Sequence, residues 1–136
     1  MATQGLSDTP AWRARKARRW LAVRAGALSA AFGGLIWAVS PTAFGHPEPW
    51  DGNPTLYFQS LFLAGLVAAL VVRGPFWAHY LGTIVGQSAF VLLVLPLGAF
   101  SGMAPFVIAL YGALVAMGAA LGSGARRLLH HFAGRA

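Results

Sequence analysis

The stretch FWAHYLGTIVGQSAFVLLVLPL, from Phe76 to Leu97, decides how this chain folds. It holds no Asp, Glu, Lys or Arg, and as a helix it is long enough to cross the roughly 30 Å apolar core of a bilayer. Three similar apolar stretches run from about Trp20 to Phe44, from Leu56 to Val72 and from Ala104 to Leu121. Together they predict an all-α, polytopic membrane protein with four transmembrane helices joined by short loops.

The composition of the whole chain indicates the same class of protein. Hydrophobic residues make up 57% of the 136 residues and charged residues only 10%, whereas soluble domains carry about 25% charged residues. So few charges cannot cover a water-facing surface, which favours an integral membrane protein. The stretches lack the alternating pattern of a transmembrane β-barrel, so helices are the expected spanning elements. The chain has no cysteine, which excludes disulfides, thiolate metal sites and cysteine nucleophiles.

Turn-forming residues separate the four stretches. The segments HPEPWDGNP, RGP and GAFSGM lie between them, and Pro54, Pro75 and Pro105 each fall near the first turn of a predicted helix. A cleaved signal peptide is the alternative for the first stretch, because a basic segment precedes it and the AFG sequence at 43–45 resembles a cleavage site. The length of that stretch favours a transmembrane helix instead.

The Lys and Arg residues are distributed unevenly about the predicted helices. With four spans, the N-terminus, the turn at Arg73 and the C-terminus share one side of the membrane, and that side holds all ten Lys and Arg residues. The opposite side holds none, and Glu48 and Asp51 lie there. The positive-inside rule therefore predicts that both termini are cytoplasmic. The expected location is the inner (plasma) membrane of a bacterium.

This topology divides the chain into three regions. We expect a basic cytoplasmic arm at residues 1–19, a four-helix transmembrane domain at 20–124 and a basic interfacial C-terminal segment at 125–136. In the last of these, Leu128 and Leu129 are expected at the membrane interface while the neighbouring arginines face lipid phosphates.

The basic arm contains the sequence DTPAWRARKARRW and is predicted to form a short helix, capped by Asp8 or Thr9 and with Pro10 in its first position. Its cations suit anionic lipid headgroups, at ~1 kcal/mol per basic residue near the surface, or an acidic surface of a partner protein. No nucleic-acid-binding motif accompanies them, so no nucleic-acid partner is expected. The residues assigned to lipid or partner binding are Arg13, Arg15, Lys16, Arg18, Arg19, Arg126 and Arg127.

Polar residues follow one face of the third predicted helix. His79, Thr83 and Gln87 are four residues apart, and Gly82 and Gly86 form a GxxxG pair beside them. Such a face belongs against other helices, where Gln87 would form a hydrogen bond across the interface. The alternatives are a polar stripe that lines a pore and a haem or chlorophyll ligand at His79. A bis-histidine haem would need a second histidine at similar depth, so we expect no cofactor.

Small residues recur on two other predicted helices. Those with four-residue spacing are Ala22, Gly26, Ala30 and Gly34 on the first helix, and the pairs Gly112–Ala116 and Gly118–Gly122 on the fourth. Small residues let helix backbones approach closely, so they predict a compact bundle. One small face could remain for self-association or for a partner.

The sequence carries no convincing catalytic or metal-binding pattern. The predicted spans hold no Asp or Glu. The carboxylate of such a residue is the group that proton-coupled transporters usually protonate. Their serines lack a neighbouring base for nucleophilic catalysis. In the outer loop His46, Glu48 and Asp51 could bind a divalent cation, but the favoured interpretation of these residues is a polar loop stiffened by proline.

These observations predict a small membrane protein without catalysis of its own, which serves as an accessory or structural subunit of a larger membrane complex. The expected partners are anionic lipids and either other membrane subunits or further copies of this chain. The alternative function is a small homo-oligomeric channel or transporter, with His79, Thr83 and Gln87 lining the path. A membrane-perturbing effector is a third hypothesis, which the short length and basic ends would suit.

Overall fold

A computed structural model describes residues 10–95 and 102–134, and every regular element in that part of the chain is helical. The elements are α1 (Pro10–Ala38), α2 (Ser40–Ala43), α3 (Pro49–Gly52), α4 (Pro54–Val71), α5 (Phe76–Val94) and α6 (Ala104–Ala133). Four of them, α1, α4, α5 and α6, are long and apolar enough to cross a membrane. The prediction of an all-helical protein with four such helices is therefore confirmed.

Local chemistry sets where three of these helices begin. The side chain of Asn53 accepts a hydrogen bond of 3.0 Å from the backbone N–H of Leu56, which caps α4. Pro54 is the first residue of α4, and Pro105 lies in the first turn of α6. Proline is tolerated there because the first N–H groups of a helix have no intrahelical acceptor. Pro75 directly precedes α5 and holds an extended conformation.

Two helices run past the predicted limits of the transmembrane domain. The basic arm is not a separate short helix, because α1 continues from Pro10 through the first span without a break. That helix ends at Ala38 rather than near Phe44, and a separate turn of helix, α2, follows. The proposed region boundaries at 19/20 and 124/125 thus fall inside α1 and α6. The suggested caps Asp8 and Thr9, and most of the GAFSGM segment, lie outside the described residues.

Helix α1 packs most extensively against α5, and the two run parallel with their backbones in contact. A Cβ atom built on Gly82 would meet the backbone oxygen of Gly26, and one built on Gly86 would meet that of Ala30. Only glycine fits at these two positions of α5 without the helices moving apart. The GxxxG pair of the sequence is therefore the point of closest approach between the two helices.

Helix α4 packs in the same manner against α6, and contacts between α5 and α6 join the two pairs into a bundle. A Cβ on Gly118 would meet the backbone of Phe62, and a Cβ on Gly122 would lie 2.5 Å from the backbone oxygen of Leu66. These contacts have the same separation along the chain as Gly82 with Gly26 and Gly86 with Ala30. The two parallel pairs therefore share one packing register.

The segment between α1 and α4 folds over one end of the bundle. Trp50 of α3 packs edge-on against Trp37 of α1, with ring centroids 4.8 Å apart, and also contacts the ring of Tyr57 at 6.1 Å. Phe44, the residue directly after α2, contacts the ring of Tyr57 with ring centroids 6.5 Å apart. The Ser40 hydroxyl donates to the backbone oxygen of His46 at 2.6 Å. These contacts form an aromatic cap, defined here as Trp37, Phe44, Trp50 and Tyr57, in place of an open loop.

Substitution of Gly86 by Ala tests the contact between α1 and α5. The added methyl group meets the backbone of Ala30, so we expect Gly86→Ala to lower the free energy of unfolding by about 1–3 kcal/mol, as overpacking does. Thermal unfolding in detergent micelles, followed by circular dichroism, measures the change.

The matched control is Gly124→Ala on α6, because a Cβ on Gly124 meets nothing within 4 Å. This variant should keep or raise the stability, since alanine has the higher helix propensity. Equal melting temperatures for the two variants would contradict the packing described for Gly86.

Candidate functional site

The polar face predicted on the third transmembrane helix lies on α5 and is buried inside the bundle. His79, Thr83 and Gln87 have no solvent-exposed surface. The face lies against α1, whose Ser29 and Trp37 occupy the matching positions and are also buried. We call these five residues, together with Tyr57 of α4, the polar seam.

One end of the polar seam joins α1 and α5 through two hydrogen bonds. The hydroxyl oxygen of Ser29 and Nδ1 of His79 lie 2.9 Å apart, with the donor set by the imidazole tautomer. The hydroxyl of Thr83 donates to the backbone oxygen of Ser29 at 3.3 Å. Such bonds hold two helices in register, because an apolar environment offers their polar groups no water.

The other end of the polar seam joins three helices at a single atom. The Oε1 atom of Gln87 accepts a hydrogen bond of 3.0 Å from Nε1 of Trp37 and a second of 2.6 Å from the hydroxyl of Tyr57. Trp37 lies on α1, Tyr57 on α4 and Gln87 on α5. One carboxamide thus connects the two helix pairs directly beneath the aromatic cap.

The two glycines of the predicted site make this arrangement possible. Gly82 is buried against Gly26, and Gly86, which is partly buried, lies against Ala30. Because the backbones touch at these points, the short side chain of Ser29 can reach the imidazole on the facing helix. The structure therefore brings the five predicted residues of this face together at a helix interface.

Three polar atoms near the polar seam have no hydrogen-bond partner. They are Nε2 of His79, Nε2 of Gln87 and the hydroxyl oxygen of Ser88. A buried polar group without a partner costs free energy, and such groups are often found where a protein holds water or a ligand.

The candidate cation site in the segment between α1 and α4 is not assembled. Within residues 10–95 and 102–134, no three His, Cys, Asp or Glu side chains come close enough to hold one metal ion. His46, Glu48 and Asp51 therefore do not converge, and Oε2 of Glu48 instead accepts a 3.0 Å hydrogen bond from Nε1 of Trp50. The adjacent His130 and His131 at the end of α6 do not form such a group either.

The basic residues assigned to lipid or partner binding fall into two groups. The five on α1 are exposed along the arm; they are Arg13, Arg15, Lys16, Arg18 and Arg19. The Lys16 ammonium lies 5.0 Å from the ring centre of Trp12, a cation–π contact within the arm. On α6, Arg126 is half-buried and donates to the backbone oxygen of Ala69 at 2.5 Å, while Arg127 is exposed.

Sequence reasoning missed the partners of the polar face. Trp37 had no assigned role and Tyr57 was part of an apolar span. Ser29 was one of the serines of the spans, which were considered only as nucleophiles. A helical pattern was present, because Ser29, Gly33 and Trp37 are four residues apart on α1, as His79, Thr83 and Gln87 are on α5. No pattern linked Tyr57 to Gln87, because that contact depends on how the two helix pairs meet.

No protein-family model, curated protein or solved structure matches this chain. Its function must therefore be inferred from its own residues and their geometry.

Gln87→Leu tests the role of the shared acceptor. It removes the oxygen that Trp37 and Tyr57 both use, leaving two buried donors unpaired, and each such group costs about 1–3 kcal/mol. We expect a lower melting temperature in detergent and a shift in tryptophan fluorescence.

Gln59→Leu is the matched control, because Gln59 is an exposed glutamine on α4 that undergoes the same chemical change. It should leave both readouts unchanged. Equal behaviour of the two variants would contradict a structural role for Gln87.

Proposed function

We propose that this chain is a non-catalytic structural subunit of a larger complex in the bacterial inner membrane, and that both of its termini are cytoplasmic. The observation that carries the proposal is the form of the basic arm. It is a helical extension of the first span, with its cationic side chains exposed and no acidic residue along α1. Such an extension is suited to contact another protein.

The geometry of α1 favours a protein partner over the lipid surface for this arm. Residues 10–19 continue the same helix as the apolar part of α1, so they extend it by about 15 Å at 1.5 Å per residue. An arm that lay on headgroups would have to leave the direction of the spanning helix, and α1 has no break at which it could turn. An acidic surface of a neighbouring subunit could bind the helix from the side.

The bundle itself supports a structural role. Its polar groups are used in contacts between its own helices: Gln87 binds Trp37 and Tyr57, and His79 lies beside Ser29. Its lateral surface carries large exposed apolar side chains, which suit lipid or the apolar surface of another membrane subunit.

The channel hypothesis receives less support from this geometry. Its path was to be lined by His79, Thr83 and Gln87, and these side chains have no exposed surface, because α1 covers them. They also do not lie on an outer face that several copies could share. A conducting form would have to separate α1 from α5 and break the backbone contacts at Gly82 and Gly86.

The proposed arrangement in the membrane can be tested by cysteine labelling, because the chain has no cysteine of its own. His46→Cys and Ala14→Cys each place one thiol at an exposed position, on opposite sides of the first span. In spheroplasts, a membrane-impermeant maleimide should label the variant at 46 and not the one at 14. Labelling at 14 alone would show the inverted orientation.

Charge removal tests the docking of the arm. We expect partner subunits to be lost from a variant in which Gln replaces Arg13, Arg15, Arg18 and Arg19. The measurement is the mass of the native complex recovered after mild detergent extraction. The matched control replaces the same four residues by Lys, which preserves the charge and should retain the complex.

Recovery of a homogeneous homo-oligomer, with no other subunit, would contradict the structural-subunit proposal. A complex that survives the Gln substitutions would show that the arm is not its docking element. The labelling experiment identifies any variant whose orientation in the membrane has changed.

A further inference from the structure

The turn between α4 and α5 gathers positive charge at one end of the bundle. Nη2 of Arg73, in this turn, lies 2.9 Å from Nε2 of His130 on α6, and the guanidinium must be the donor because it has no acceptor. Arg126 lies one turn of helix before His130 and donates to the backbone oxygen of Ala69, near the end of α4. Two guanidinium groups from different elements therefore flank the same turn.

No carboxylate neutralises these charges within the described residues. The chain has only three acidic residues, and two of them, Glu48 and Asp51, belong to the segment between α1 and α4 at the opposite end of the bundle. The third, Asp8, lies outside the described part of the chain. Like charges held close together repel, so a bound anion would stabilise this arrangement.

The first turn of α5 supplies further donors at the same place. Helix α5 begins at Phe76. The N–H of Ala78 donates to the backbone oxygen of Pro75 at 3.0 Å, and Pro75 provides no side-chain cap for the N–H groups of Phe76 and Trp77. Such groups, together with the helix dipole, favour an anion.

A buried imidazole marks the same position independently of the helix end. His79 has no exposed surface, and its Nε2 atom has no hydrogen-bond partner. That atom would be 3.6 Å from a Cβ built on Gly74, so the ring is directed at the turn that Arg73 and Gly74 form. An unpaired ring nitrogen at this depth lacks the partner that buried polar groups normally have, and a polar group bound at the turn would supply one.

We propose that the α4–α5 turn binds the phosphate group of an acidic phospholipid, through Arg73, Arg126, the N-terminus of α5 and the imidazole of His79. Free phosphate offers the same chemistry, but the surroundings favour a lipid. Phe76 and Trp77, at the start of α5, are 60% and 50% exposed, and such aromatic side chains belong at the headgroup level of a bilayer. The site is independent of the basic arm, so the two proposals fail separately.

The test measures lipid retained by the full-length protein. Protein extracted in detergent that contains equal amounts of phosphatidylglycerol and phosphatidylcholine is analysed by native mass spectrometry. We expect wild-type protein to retain phosphatidylglycerol selectively, and Arg73→Gln to reduce that retention roughly tenfold, as the loss of a charge-assisted hydrogen bond would. Arg73 is suited to this test because its recorded contact is with an exposed histidine, so the variant should fold.

Two matched variants distinguish a site from general charge. Arg24→Gln removes the same charge from an exposed position of α1 outside both the basic arm and the proposed site, and it should change retention by less than about twofold. His79→Gln keeps a polar group at the seam but alters the group directed at Gly74, and it should also reduce retention. Equal effects of Arg73→Gln and Arg24→Gln would overturn the proposal, as would unchanged retention in both site variants.

A second experiment distinguishes phospholipid from free phosphate as the ligand. Inorganic phosphate and phosphatidylglycerol are each added to delipidated protein, and the melting temperature is measured. Stabilisation by phosphatidylglycerol that Arg73→Gln abolishes supports the site. Stabilisation by inorganic phosphate alone would overturn the assignment to a lipid.

Discussion

The backbone contact of α5 with α1, at Gly82 and Gly86, is the constraint on which the rest of the structure depends. Lipid chains are as apolar as leucine side chains, so burial of apolar surface does not drive helices together in a membrane. Close van der Waals contact and hydrogen bonds must do so instead. Glycine permits both, because it lets the backbones touch and brings Ser29 within reach of His79.

The two helix pairs have the same close backbone contacts but differ in the polarity of the residues between them. Where α1 and α5 place Gly33 against Thr83, α4 and α6 place Gly65 against Val115 at the same separation along the chain. Threonine and valine have nearly the same shape, so the close approach does not itself require a polar side chain. The polar residues of the first pair therefore contribute something further, which is the link from Gln87 to Tyr57 on α4.

The two ends of the bundle differ in their chemistry. At one end, the carboxamide of Gln87 binds Trp37 and Tyr57 of the aromatic cap, and the indole of Trp50 packs edge-on against Trp37. At the other end, Arg73 and Arg126 surround a tight turn without a carboxylate. At the first end the oxygen of Gln87 is paired twice and its Nε2 atom is left without a partner, whereas the second end has positive charge in excess. This contrast is the reason for proposing a ligand only at the second end.

The composition and the lengths of the apolar stretches were sufficient to predict the helices. They depend on local properties, since a stretch without charges must satisfy its backbone hydrogen bonds internally. The common face of His79, Thr83 and Gln87 was also predictable, because it follows from the helical repeat. The continuity of α1 was not predictable, since nothing in the local sequence showed that this helix would include the basic arm. Gly65 was overlooked as a packing position because it stands alone in an apolar stretch.

By itself, the sequence determined four helices long and apolar enough to cross a membrane, the polar face of α5, and the concentration of positive charge in the basic arm, at Arg73 and in the C-terminal segment. The tertiary structure decided which helices pair, that α1 covers the polar face, and that Trp37 and Tyr57 share the oxygen of Gln87. It also brought Arg73 to His130 and directed the unpaired nitrogen of His79 at Gly74. Helical periodicity shows which residues share a face, but the partner of a face depends on packing between distant segments.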